Sequence, residues 1–218
     1  MQTQTASSKF ASLMLLLFLV VFLTQPVLAA PATIIDEWKS VPLPAAPQVK
    51  PVVIDPKTTA FLILDIQLPM CGVEQRPRCA ASVPKIADFL LQARVRSMPV
   101  VYSLTPTGTV ENIVPAVYPL PDEPAVRSSV DKFYNTDLEK ILKEKGIKTV
   151  IIVGTAAHGA VLHTATGAAM RGLQVIIPID GMSAIETYAE QYTAWHMLNA
   201  PGTRARTTLT TFAQLSFK

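Results

Sequence analysis

A three-layer α/β/α sandwich around a mainly parallel, doubly wound sheet is the fold class this 218-residue chain predicts, on three observations. The runs Lys148–Val153 and Leu173–Ile179 are apolar almost throughout rather than alternating, as in strands buried on both faces. Such runs alternate with segments of helical period, the pattern of successive βα units. Right-handed crossovers then leave few other ways of covering the sheet. Half of the residues are hydrophobic and 16% are charged, which supplies a core and excludes a disordered chain. A formal charge of +3 without any basic run excludes a nucleic-acid footprint.

Taken in order, residues 1–29 predict a cleaved signal peptide. Lys9 is the single charge before Asp36, the apolar run Leu13–Leu23 follows it, and Val27 and Ala29 stand at −3 and −1 of the cut. A run this short does not reach the roughly 20 residues a membrane span needs. The mature chain is therefore expected to be exported, to the periplasm or beyond, and free of the membrane. Residues 30–57 read as an extended, proline-rich leader, and residues 58–218 as the domain. Cys71 and Cys79, eight apart, are expected to form a disulfide in an oxidising compartment.

Within the domain, Thr59–Ile66 is the first strand and ends on Asp65. Ser82-Val83-Pro84 opens a helix with Val83, Ile86, Leu90 and Ala93 on its apolar face. Pro99–Leu104 is the second strand, and the proline-rich stretch 105–130 a covering loop. Thr136–Glu139 reads as a capping box for a helix that Gly146 stops, and Ser183–Glu186 as another for a helix to about Leu198. Between them lie the strand from Lys148, a small-residue helix from His158 to Arg171, and the strand from Leu173. Thr207–Thr211 is a last, weaker strand.

In such sheets a site forms at the carboxyl ends of the strands. Asp65 stands there; an unpaired buried carboxylate is costly, so it either caps a turn or does chemistry. The segment Val153–Ala165 is strand, tight turn and helix start, a geometry that aims backbone N–H groups at one point and suits an oxyanion. Close helix–sheet packing demands the same small residues.

Four blocks together carry a resemblance. They are Asp65-x-Gln67, Asp131-x-Phe133-x-x-Thr136-Asp137-Leu138, Gly154…Ala160-Val161-x-x-Thr164-Ala165, and Arg171-Gly172…Asp180-Gly181-Met182-Ser183-Ala184. In order and spacing over residues 57–211, the chain resembles the isochorismatase-like (cysteine hydrolase) family, whose fold is Rossmann-like. The resemblance implies an Asp–Lys–Cys site, with Asp65 as the acid–base carboxylate. Aligned without gaps, the Lys position falls on Arg127, while Lys132 stands where a small residue is usual. The Cys position falls on Ala160, whose methyl group cannot attack a carbonyl. Isochorismatases proper also carry a small residue there and cleave a vinyl ether with the Asp as acid; His158 resembles their form of the turn.

The resemblance further implies a cis bond between Thr155 and Ala156, with Ala156 and Ala160 at an oxyanion site. It gives two functional expectations: a hydrolase of a small cyclic or acidic metabolite (vinyl ether, amide or imide bond), or a non-catalytic binding protein on the same fold. Either would take a small molecule, with no cofactor, and a homo-oligomer is possible. No metal ligands are expected, because the three histidines stand at 158, 163 and 196 and none follows the first strand. Tyr188, Tyr192 and Trp195 recur at helical spacing and are expected to pack against the domain or a second subunit rather than to stack on a substrate.

Overall fold

The computed structural model describes residues 32–218. The expected signal segment 1–29 and the first residues of the expected leader lie outside this range. Residues up to Leu43 form one unit and Pro44–Lys218 another. The described part of the first has a single helical turn, Ile34–Glu37, where the Asp36 carboxylate accepts the N–H and hydroxyl of Thr33.

The second unit is built on strands β1 (Val52–Ile54), β2 (Thr59–Leu64), β3 (Val100–Leu104), β4 (Ala125–Arg127), β5 (Thr149–Thr155), β6 (Gln174–Pro178), β7 (Met182–Ser183), β8 (Thr207–Thr210) and β9 (Leu215–Phe217). Its helices are α1 (Pro77–Val95), α2 (Leu138–Glu144), α3 (Leu162–Met170) and α4 (Thr187–Asn199). The main sheet runs β4-β3-β2-β5-β6-β8, parallel throughout, with β7 paired to the end of β5. The expected fold class is thereby realised.

The period of two along each strand divides the core. Phe61, Ile63, Ile151 and Val153 face α1 and a small parallel ribbon of β1 with β9. Leu62, Leu64, Val150 and Ile152 face the other way, toward α2, α3 and α4. Strands sandwiched like this are apolar at every position, which is why β2, β3, β5 and β6 read as runs.

From Pro44 on, the leader lies against the domain: Val49 packs on the core, and β1 pairs with β9 near the C-terminus. Several boundaries differ from expectation. Helix α1 starts at Pro77, five residues before Ser82. Proline is favoured at a first helical position because its missing N–H would be unpaired there anyway; Pro84 lies inside the helix.

Neither capping box forms. The Thr136 hydroxyl donates to Lys132 O (2.5 Å) and accepts the N–H of Leu138 (3.2 Å), while the Glu139 carboxylate binds Lys143 and Arg171. Ser183 lies in β7, its hydroxyl buried with no protein partner, and α4 begins four residues later. The covering loop contains β4, three residues long and too short to show a pattern.

Candidate functional site

Asp65 follows directly on β2. Its backbone takes φ = 54°, a left-handed conformation that aspartate tolerates better than most side chains. The neighbouring strand accommodates this turn through Gly154, at φ = 135°, where a Cβ would stand 2.1 Å from Leu64 O. Only glycine fits so close an approach. One carboxylate oxygen of Asp65 accepts the hydroxyl of Ser103 (2.7 Å), at the end of β3, and the other lies 2.8 Å from Lys132 Nζ. Three neighbouring strands or loops thus converge on one carboxylate, at the carboxyl edge of the sheet where a site was expected.

Lys132, and not Arg127, is the cation that meets Asp65. The ungapped assignment to Arg127 fails for a simple reason: side chains alternate along β4, so buried Val126 points inward while Ala125 and Arg127 point to solvent. The chain then curls inward. The Lys132 N–H donates to Thr164 Oγ1 of α3 (3.2 Å), and its fully buried ammonium is surrounded by Ser129 O (2.6 Å), Ser128 O (3.0 Å), Leu104 O (3.2 Å) and Asp65. An ammonium has three N–H donors, all engaged within this cage. Lys132 therefore holds Asp65 in place and has no proton left over for a ligand.

Burial pushes the Asp65 carboxyl above its ordinary range, against the opposing pull of Lys132, the Ser103 hydroxyl and the Arg76 charge. A carboxyl in this setting retains its proton to higher pH than a surface aspartate, the condition a general acid needs.

The third element is the turn after β5. The Thr155–Ala156 peptide bond is cis. Residues Ala157–Val161 then form a π-helical turn that runs into α3, and Ala156 O accepts the N–H groups of Gly159 (2.9 Å) and Val161 (3.3 Å). Ala160 is buried at this turn, presenting a methyl group. Cys71 and Cys79 are bridged to each other, with Cα atoms 5.2 Å apart, and the described residues hold no free thiol.

A cleft of about 850 Å³ opens along the turn after β5. It is lined by Arg76, Ala156, His158, His163, Glu186, Tyr188, Tyr192 and His196 among others. Asp65, Lys132 and Ala160 are not on its walls. Arg76 belongs to both settings: it faces the cleft, its charge acts on Asp65, and Nη1 donates to the Thr155 hydroxyl (2.9 Å). All three histidines of the chain reach this cleft, though no group of three His, Cys, Asp or Glu side chains among the described residues is arranged to hold a metal. Tyr188 and Tyr192 do not pack into the domain as one of the two expectations had it; they are exposed on the cleft wall.

Sequence reasoning missed Ser103 and Arg76, and had Thr164 as a motif residue without a role. Ser103 carried a usable signal, a hydroxyl inside an otherwise apolar strand; Arg76 carried none beyond its place between two cysteines.

Comparison with known proteins adds a lineage to this geometry. The isochorismatase domain profile matches residues 59–210. A nicotinamidase of Acinetobacter baylyi is 39% identical over 72 residues, covering 33% of this chain and 34% of that protein. A secreted isochorismatase effector of Verticillium dahliae is 31% identical over 113 residues, 47% of this chain and 60% of that protein. The chain thus spans between a third and three-fifths of these relatives' lengths. Among solved structures, an isochorismatase-like hydrolase from Alkaliphilus metalliredigens superposes with a TM-score of 0.65 at 25% identity, covering 72% of this chain and 96% of that one. An N-carbamoylsarcosine amidase from Thermoplasma acidophilum shares the fold at 20% identity, with a TM-score of 0.61 over 71% and 96% of the two chains.

Proposed function

The chain belongs to the isochorismatase family, and from that premise we propose that it is a hydrolase of a small cyclic or acidic metabolite working without a cysteine nucleophile. The observation that carries this reading is the Asp65–Lys132 pair, set at the carboxyl edge of the sheet with an alanine at the nucleophile position.

With no thiol to form a covalent intermediate, amide and imide cleavage lose their usual route. A vinyl ether asks for less. A protonated Asp65 would deliver its proton to the terminal alkene carbon, generating an oxocarbenium ion; water adds to the cationic carbon, and the hemiketal collapses to alcohol and carbonyl product. Lys132 would act by fixing the carboxyl, and Ala156 and Ala160 would offer backbone N–H groups to an anionic oxygen the substrate already carries. His158, on the cleft wall, would contact substrate. The export proposed for this chain draws on residues 1–29 and on its likeness to a secreted effector.

A second reading, a binding protein on the same scaffold, has one observation in its favour: Asp65 is 5% exposed and Lys132 not at all. Substrate must therefore reach a nearly closed pair.

The experiment is a panel of isochorismate, small amides and cyclic imides, offered to the purified protein with and without prior iodoacetamide. The expected result is turnover of isochorismate or a related enol ether, unchanged by alkylation. Activity lost on alkylation would overturn the thiol-free mechanism; tight binding with no turnover of any member would establish the binding protein.

A further inference from the structure

We propose that Arg76 is the anion-binding residue of the large cleft and selects ligands that carry a carboxylate. Nothing in the assigned family site requires it. The inference builds on the reading of the cleft as the substrate's place, but its test does not depend on catalysis.

Other cations of the helix that follows Arg76 are already paired. Arg78 is paired with Glu190, Lys85 with Asp180 at 3.2 Å, and Arg94 with Glu123 at 2.7 Å. Arg76 has no carboxylate within 4.0 Å among the described residues. Asp65, on which its charge acts, is already committed to Ser103 and Lys132. Of the five N–H donors on a guanidinium, the structure assigns one, to Thr155. A partly buried cation with unspent donors is stabilised by a planar anion that accepts two parallel hydrogen bonds, and a carboxylate is the match.

Arg76 is also held ready. Thr155 Oγ1, which receives its Nη1, donates in turn to Ser183 O (3.1 Å), so the anchor is itself fixed. The Arg76 N–H donates to Gly72 O (2.8 Å), and its carbonyl accepts the N–H of Cys79 (2.9 Å). The Cys71–Cys79 bridge closes the loop around it. Ordering that is done before binding is not charged against affinity. Glu186 is the one carboxylate on the cleft wall among the described residues, which leaves the Arg76 side as the place for an acidic group.

Benzoate and benzamide serve as probes, nearly equal in shape and differing in charge. Their dissociation constants are measured by calorimetry on the wild-type protein, Arg76→Gln and Arg76→Lys, with circular dichroism to verify folding. Benzoate is expected to bind the wild type at least tenfold more tightly than benzamide. Arg76→Gln is expected to weaken benzoate at least tenfold and leave benzamide unchanged, with Arg76→Lys between, since it keeps the charge and loses the fork. Equal affinity of the wild type for the two probes, or benzoate binding untouched in both variants, would overturn the proposal. If Arg76-dependent benzoate binding is found in a protein that turns over no substrate, the hydrolase reading fails and the anion site stands. If isochorismate is turned over and Arg76 plays no part in binding, the anion site fails and the hydrolase reading stands.

Discussion

Burial holds the Asp65 pKa above its ordinary value against three groups that pull it down. Burial raises its pKa, while the Lys132 ammonium, the Ser103 hydroxyl and the Arg76 charge lower it, and burial prevails. The sign of a substitution follows directly. Lys132→Met removes the strongest opposing charge, so the Asp65 pKa rises further. If Asp65 is the general acid, the alkaline limb of the pH–rate profile moves to higher pH in Lys132→Met; a shift to lower pH would contradict that role.

Stability follows the same linkage. A group whose native pKa is raised contributes stability below its unfolded pKa, and that contribution is lost as pH rises through the native value. Lys132→Met should therefore be least impaired in acid and increasingly unstable toward neutral pH. There an uncompensated buried carboxylate costs about 3–5 kcal/mol, measurable by urea unfolding at several pH values. Asp65 was legible in the sequence because it sits where a strand's apolar run breaks, and Ala160 through the resemblance that its block carries. Lys132 was assigned only as an alternative to Arg127, since the direction in which the segment after β4 turns is set by the cage of carbonyls around its ammonium, which no local pattern records.

At the scale of elements, strands buried on both faces were readable and the short or peripheral ones were not. β2, β3, β5 and β6 show as apolar runs, whereas β1, β4, β7 and β9 have two or three residues each, too few for any period to register. The capping boxes misled for a related reason. Thr136 and Ser183 are drawn into tertiary roles, one bonding to the Lys132 backbone and the other buried in a strand, so the local motif lost to packing.

The loop before α1 shows the opposite case, in which a covalent link carries the positioning. Closing a loop of this length removes chain entropy worth about 2–3 kcal/mol from the unfolded state. A Cys71→Ser/Cys79→Ser double variant should lose roughly that much stability in chemical denaturation. Wild-type protein kept in reductant should behave likewise, and stability unchanged in both would show that the bridge contributes nothing.

Over the whole molecule, the sheet acts as a frame that brings β2, β3, the segment after β4 and the turn after β5 to one edge, although 38 residues separate Asp65 from Ser103 and 32 separate Lys132 from Thr164. The stretch before β2 joins this frame as well, because β1 is part of the compact unit through its pairing with β9. The central claim is that chemistry at this edge runs on a carboxyl proton rather than a thiol. Comparing wild type with Asp65→Asn on isochorismate, with kcat and ligand affinity measured separately, tests it most directly. Asparagine keeps the shape and loses the transferable proton, and a placed carboxyl typically contributes about 10²–10⁴-fold. A fall in kcat of that order with affinity largely retained is the expected result; an undiminished kcat in Asp65→Asn would contradict the claim.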